Sequence, residues 1–165
     1  MNKKSLGIFS TFLLVILILT NFNYKTAYAD STPPELNSKG VVLMDATTGE
    51  VLYSKEENTQ YYPASTTKVL TALVVLDKVK NLDEKVTVGK KPPFADGTKI
   101  GLREGDTFTV RELLTILLLA SDNVAAETLA EYVSGSCEEF AKLMNEKAKS
   151  IGAVNSNFKN PSGLP

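Results

Sequence analysis

Two short clusters in this chain hold residues that can do chemistry together. Ser65 stands three residues before Lys68 in Tyr62-Pro63-Ala64-Ser65-Thr66-Thr67-Lys68. If Ser65 opens a helix, the hydroxyl and the amine lie one turn apart on one face. An unprotonated lysine there can take the serine proton and make the hydroxyl a nucleophile. The helix N-terminus favours the anion that follows attack. The second cluster is Ser121-Asp122-Asn123, a polar trio between two apolar runs. Each cluster also has a plainer reading. Ser65 can be a helix cap with Lys68 at the surface, and the trio can satisfy the backbone at a buried helix junction. A second serine–lysine match, Ser156 with Lys159, has no apolar run behind it and reads as a solvated loop.

The chain contains no histidine. That excludes a Ser-His-Asp triad, a Cys-His dyad and any histidine-ligated metal site. A hydroxyl nucleophile must therefore take its base from Lys, Asp, Glu or Tyr.

The surrounding elements are those needed to hold the two clusters. Gly40–Asp45 and Glu50–Ser54 are β-prone runs separated by Ala46-Thr47-Thr48-Gly49, which predicts an antiparallel hairpin with a four-residue loop. The run Val69–Leu76 predicts a helix from about Ser65 to Lys80. Lys85–Val88 reads as a short strand, and Lys90–Gly105 as a loop. Thr109 and Glu112 fit a capping box before an apolar core helix over Leu113–Ala120. Val124–Val133 is a second helix, stopped by Gly135. Ser136 and Glu139 fit another capping box, before a helix that places Phe140, Leu143, Met144 and Ile151 on one stripe and ends near Gly152. Strands first and helices after predict an α+β domain.

The first 29 residues read differently. Lys3 and Lys4 precede an uncharged apolar run, Leu6–Leu19, and Ala27-Tyr28-Ala29 supplies the small residues of a cleavage site. This is the order of a secretory signal peptide, and an uncleaved membrane anchor is the rival reading, since no charge falls between Lys4 and Lys25. The rest of the chain is then exported, to the outer face of the cytoplasmic membrane or the cell wall. Its exposed lead-in is Asp30–Ser38, with Pro33-Pro34. Cleavage removes three lysines from a chain of formal net charge −1, so no basic stripe remains for nucleic acid. Cys137 is the only cysteine, which leaves no internal disulfide; it reads as a small buried hydrophobe.

Serine–lysine followed by serine–asparagine, with a later K-T-G, is the pattern of penicillin-binding proteins and class A β-lactamases. The chain resembles the N-terminal half of a serine-type D-alanyl-D-alanine carboxypeptidase, a low-molecular-mass penicillin-binding protein of the peptidase S11 type. The likeness runs from about Gly40 to Pro165. It includes Val42–Asp45 with Gly49–Tyr53, and Pro63–Lys68. Leu102–Asp106 with Arg111–Leu114 continues it, as do Phe140, Met144-Asn145, Lys147-Ala148 and Gly152. Asn157-Phe158 with Asn160-Pro161-Ser162-Gly163-Leu164 resembles the family's N-x-F-x-N-P-x-G-L signature. Two departures stand out. Val124 follows Asn123 where the family usually has aspartate, and K-T-G is absent; Lys25-Thr26-Ala27 is the nearest match.

The resemblance implies a β-lactamase/transpeptidase-like α+β fold, a helical block packed on an antiparallel sheet and incomplete in this chain. Residues 30–165 are then the N-terminal part of the catalytic domain, ending before K-T-G. The implied substrate is a peptidoglycan stem peptide ending in D-Ala-D-Ala, with β-lactams acylating the same serine. Ser65 is the implied nucleophile, Lys68 the base, Ser121 a proton relay, and Asn123 the group that orients substrate and Lys68. No cofactor and no metal are implied, and peripheral membrane association through a C-terminal part is left open. The fragment alone is expected to turn over little. A class A-like β-lactamase is the near alternative, but no E-x-x-x-N follows Asn123. A non-catalytic cell-wall-binding module is the alternative of another class.

Overall fold

The structure, a computed structural model, describes residues 34–165. The proposed signal segment lies outside the described residues. The chain divides into a unit of residues 1–39 and a compact unit over Gly40–Pro165; all that follows concerns the second.

Its first element is a hairpin, β1 (Val41–Met44) paired antiparallel with β2 (Val51–Lys55). Six residues, 45–50, link the two strands rather than the expected four, and Asp45 folds them. Its Oδ1 accepts from the backbone of Thr47 and Thr48, and Gly49 N–H donates to the Asp45 carbonyl. These bonds hold the Asp45 carboxyl below its ordinary range. Val42, Leu43, Met44, Val51 and Leu52 are all more than half exposed.

Four helices follow: α1 (Thr67–Lys78), α2 (Val110–Leu119), α3 (Asn123–Ser134) and α4 (Cys137–Ser150). Between α1 and α2 lies a second hairpin, β3 (Lys85–Thr87) with β4 (Thr107–Thr109). The sequence reading did not contain β4. Val86 pairs with Phe108, and the Val88–Asp106 and Gly105–Val88 backbone bonds close the long intervening loop. The α+β class holds, with four strands arranged as two separate two-stranded sheets.

α3 is the centre of the helical block. It packs against α1, α2, α4, β3 and the 3-10 turn Pro92–Phe94. Small residues make this possible: Val124, Ala125, Ala126, Leu129 and Ala130 are fully buried. Leu113 and Leu117 of α2, Val75 of α1, and Phe140 and Met144 of α4 close around it. Each large side chain taken from water there contributes about 1.5–3 kcal/mol.

The caps are as expected from the sequence. Thr109 Oγ1 accepts from Glu112 N–H while the Glu112 carboxylate accepts from Thr109 N–H, a complete capping box. Ser136 Oγ accepts from Glu139 N–H, and Gly135 ends α3.

Two further expectations are corrected. The helix expected over Ser65–Lys80 begins as a 3-10 turn, Ala64–Thr66, and becomes α-helical only at Thr67. It ends at Lys78, because Val79 turns to extended geometry and packs on the core. Ile151 lies past the end of α4, so it leaves the Phe140–Met144 stripe and is 55% exposed.

Candidate active site

Ser65 sits in the 3-10 turn, exposed, while Lys68 is in the first turn of α1 and only 3% exposed. Their side chains meet: Lys68 Nζ is 3.2 Å from Ser65 Oγ. An ammonium at Nζ donates to the hydroxyl; a neutral amine offers its lone pair to the hydroxyl proton. Burial lowers the Lys68 pKa, and the Asp122 carboxylate works against that. The surface-lysine reading fails for Lys68. The capping reading fails for Ser65, since the residue before α1 is Thr66, which makes no side-chain cap.

The backbone entering the site is strained. Ala64 has φ +48° and Ser121 has φ +54°, conformations uncommon for residues with a Cβ. Both flank or form the two clusters, where stored strain is typical of functional sites.

Asp122 ties the second cluster together. Fully buried, it caps α3 by accepting from Ala125 N–H through Oδ1, and its Oδ2 accepts from Ile100 N–H at 2.6 Å. Asn123 N–H donates to the Thr98 carbonyl, and its Nδ2 donates to the Asp96 carbonyl. The loop carrying Asp96 and Thr98 is thus strapped to the start of α3. Gly97 belongs to the same approach: a Cβ there would lie 2.7 Å from Asn123 Nδ2. Asn123 Oδ1 is buried with no hydrogen-bond partner among the described residues.

The expected quartet is therefore joined in part. Ser65 and Lys68 touch; among the described residues no hydrogen bond links Ser121 or Asn123 to either. The connection from the second cluster is the field of Asp122 at Lys68. Lys68 Nζ also donates to a group the sequence reading did not assign, the Ser162 carbonyl, at 3.0 Å. Its sequence signal was the Asn160–Leu164 turn. Thr71, one turn beyond Lys68, donates to the Pro161 carbonyl at 2.7 Å. Ser156 and Lys159 lie in an exposed loop, as expected.

Cys137 is half-buried rather than buried. Burial, with Glu127, Glu131 and Glu138, pushes its thiol up to about 12, which excludes it as a nucleophile.

Residues 26–165 match the family model described as D-alanyl-D-alanine carboxypeptidase, peptidase S11. The chain belongs to this family. It is 41% identical over 162 residues to the D-alanyl-D-alanine carboxypeptidase DacF of Bacillus subtilis, covering 94% of this chain and 42% of that protein. It is 34% identical over 167 residues to a D-alanyl-D-alanine endopeptidase of Escherichia coli, covering 99% of this chain and 54% of that one. Among solved structures, the carboxypeptidase DacD of Francisella tularensis superposes with a TM-score of 0.77 at 32% identity, over 88% of this chain and 38% of that chain. The chain spans about half the length of the curated relatives it matches.

Proposed function

We propose that the whole protein is a serine-type D-Ala-D-Ala carboxypeptidase that works through an acyl-enzyme on Ser65, and that penicillins acylate the same oxygen. The observation that carries this reading is the 3.2 Å approach of an exposed hydroxyl to a buried amine of lowered pKa.

Neutral Lys68 takes the Ser65 proton as Oγ attacks the carbonyl carbon of the penultimate D-alanine. The tetrahedral intermediate collapses, the C–N bond breaks, and the departing D-alanine amine takes a proton relayed through Ser121. Water, deprotonated by the same base, then hydrolyses the ester and restores Ser65. Asn123 Oδ1, buried without a partner, is suited to accept from the substrate amide N–H. The K-T-G strand implied by the resemblance would bind the substrate carboxylate. This sequence carries no K-T-G, and we infer that residues 1–165 alone turn over little. Residues 1–29 act as a signal peptide in this reading, and the mature protein works outside the cytoplasmic membrane. N-terminal sequencing of the exported protein should begin at Asp30.

A fluorescent penicillin tests the proposal on the full-length protein. Labelling should map by mass spectrometry to the Ser65 peptide and disappear in Ser65→Ala. Label that persists in that variant overturns the assignment of the nucleophile.

A further inference from the structure

Lys68 has two hydrogen-bond partners, and only one of them is near it in sequence. The other, the Ser162 carbonyl, comes from 94 residues away. Both Pro161 and Ser162 are buried against α1. A single side chain shapes the turn that delivers this carbonyl. Asn160 Oδ1 accepts from Ser162 N–H, Ser162 Oγ and Gly163 N–H, at 3.2, 3.2 and 2.7 Å. Its Nδ2 donates to the Leu164 carbonyl at 2.7 Å. The turn is fixed to α1 by Thr71 through Pro161, and the segment before it to α4 by Asn145, which exchanges two hydrogen bonds with Phe158.

We propose that Asn160 is a positioning residue for the Ser65–Lys68 pair, acting through the Ser162 carbonyl that it holds on the Lys68 amine. The inference rests on the function proposed above. Its physics is that of a three-armed amine. One N–H of Lys68 committed to a fixed acceptor removes free rotation about the Cε–Nζ bond. The lone pair of the neutral form is then confined to the two remaining positions instead of a full circle, with Ser65 Oγ 3.2 Å away. The carbonyl dipole also favours the ammonium, so it raises the pH at which the amine becomes a base, together with Asp122 and against burial. Asp122, at the head of α3, is the charged group acting on Lys68.

The test is the second-order rate of penicillin acylation of the full-length protein, measured from pH 6 to pH 10 for wild type, Asn160→Ala, Asn160→Asp and Thr71→Val. Asn160→Ala should slow acylation by about tenfold to a hundredfold, the scale of a misplaced catalytic group. Its acid limb should move to lower pH by about half a unit or more, because the ammonium has lost an acceptor. Asn160→Asp keeps the Oδ1 acceptor but loses the Nδ2 donor to the Leu164 carbonyl, so its plateau rate should lie between those of wild type and Asn160→Ala. Thr71→Val is close in shape, leaves Asn160 untouched and removes the hydroxyl that donates to the Pro161 carbonyl, so it should give the same direction of shift with a smaller loss. A purely structural role would lower the amount of active protein and leave the limb in place. An unmoved limb and unchanged rate per folded molecule in both Asn160→Ala and Thr71→Val overturn the inference. If Asn160→Ala does not fold, Thr71→Val alone decides it by the same criteria. Wild type that takes no label at Ser65 sinks the proposed function and this inference together; labelled wild type with indifferent variants sinks this inference alone.

Discussion

A Cβ on Gly163 would lie 1.9 Å from the carbonyl oxygen of Ala64, the residue before Ser65, and 2.6 Å from Thr67 Oγ1. Gly163 also has φ +83°. The turn at Gly163 thus meets the 3-10 turn of Ser65 at a distance only glycine permits. Gly163→Ala should destabilise the protein by about 1–3 kcal/mol through overpacking, with the backbone strain added. It should also slow acylation, since relief of the clash moves either Ser65 or the Ser162 carbonyl. A thermal unfolding midpoint equal to wild type would show that the turn does not bear on Ala64 in solution.

Lys68 makes stability depend on pH. Its folded-state pKa lies below the ordinary 10.5. Between the two values the unfolded chain binds the extra proton, so stability rises with pH through that window and levels off above it. Lys68→Met removes the titrating amine. Urea midpoints taken from pH 7 to pH 10.5 should climb for wild type and stay flatter for Lys68→Met, while acylation falls by about 10²–10⁴ with the base gone. Parallel slopes for the two proteins would place the proton-linked group elsewhere.

Asp122 serves structure and electrostatics at once, and two substitutions separate these. Asp122→Ala removes the α3 cap, about 1 kcal/mol. It also strands the Ile100 N–H, about 1–3 kcal/mol more. Asp122→Asn keeps one of the two acceptors and should be less destabilised. Both lose the carboxylate that opposes the depression of Lys68. The acid limb of acylation should therefore shift to lower pH in both, whatever their stabilities. A limb that tracks stability instead would count against a direct field at Lys68.

The α3 cap is buried, whereas the α2 cap is local. Thr109→Ala should cost about 1 kcal/mol in urea unfolding and leave the acylation profile unchanged, because no site residue contacts it. The bonds from Thr109 hold the Glu112 carboxyl below its ordinary 4.5. The capping contribution should be present above pH 4.5 and fade as pH falls through the folded value, so the wild-type advantage over Thr109→Ala narrows in acid.

α2, α3 and α4 were legible because each carries its own boundary signals. Thr109 with Glu112, Ser136 with Glu139, and Gly135 act within one turn of chain, and the structure uses them where the sequence puts them. β4 was not legible. Thr107–Thr109 is three residues with no period to read, and it is a strand only because Lys85–Thr87 lies beside it across a long loop. The exposure of Ile151 has a similar origin: the apolar stripe continues in sequence after the helix geometry has stopped.

For the site, the sequence by itself determined the pair. A spacing of three in a helical turn brings Ser65 and Lys68 together, and the absence of histidine leaves Lys, Asp, Glu or Tyr to act as a base, of which Lys68 touches the hydroxyl. Tertiary structure decided the rest: that Lys68 is buried, that Asp122 acts on it, and that the Ser162 carbonyl aims it. The physical reason is range. Local spacing fixes contacts within a turn of helix, but the dielectric around an amine and an acceptor 94 residues away exist only once the chain has packed.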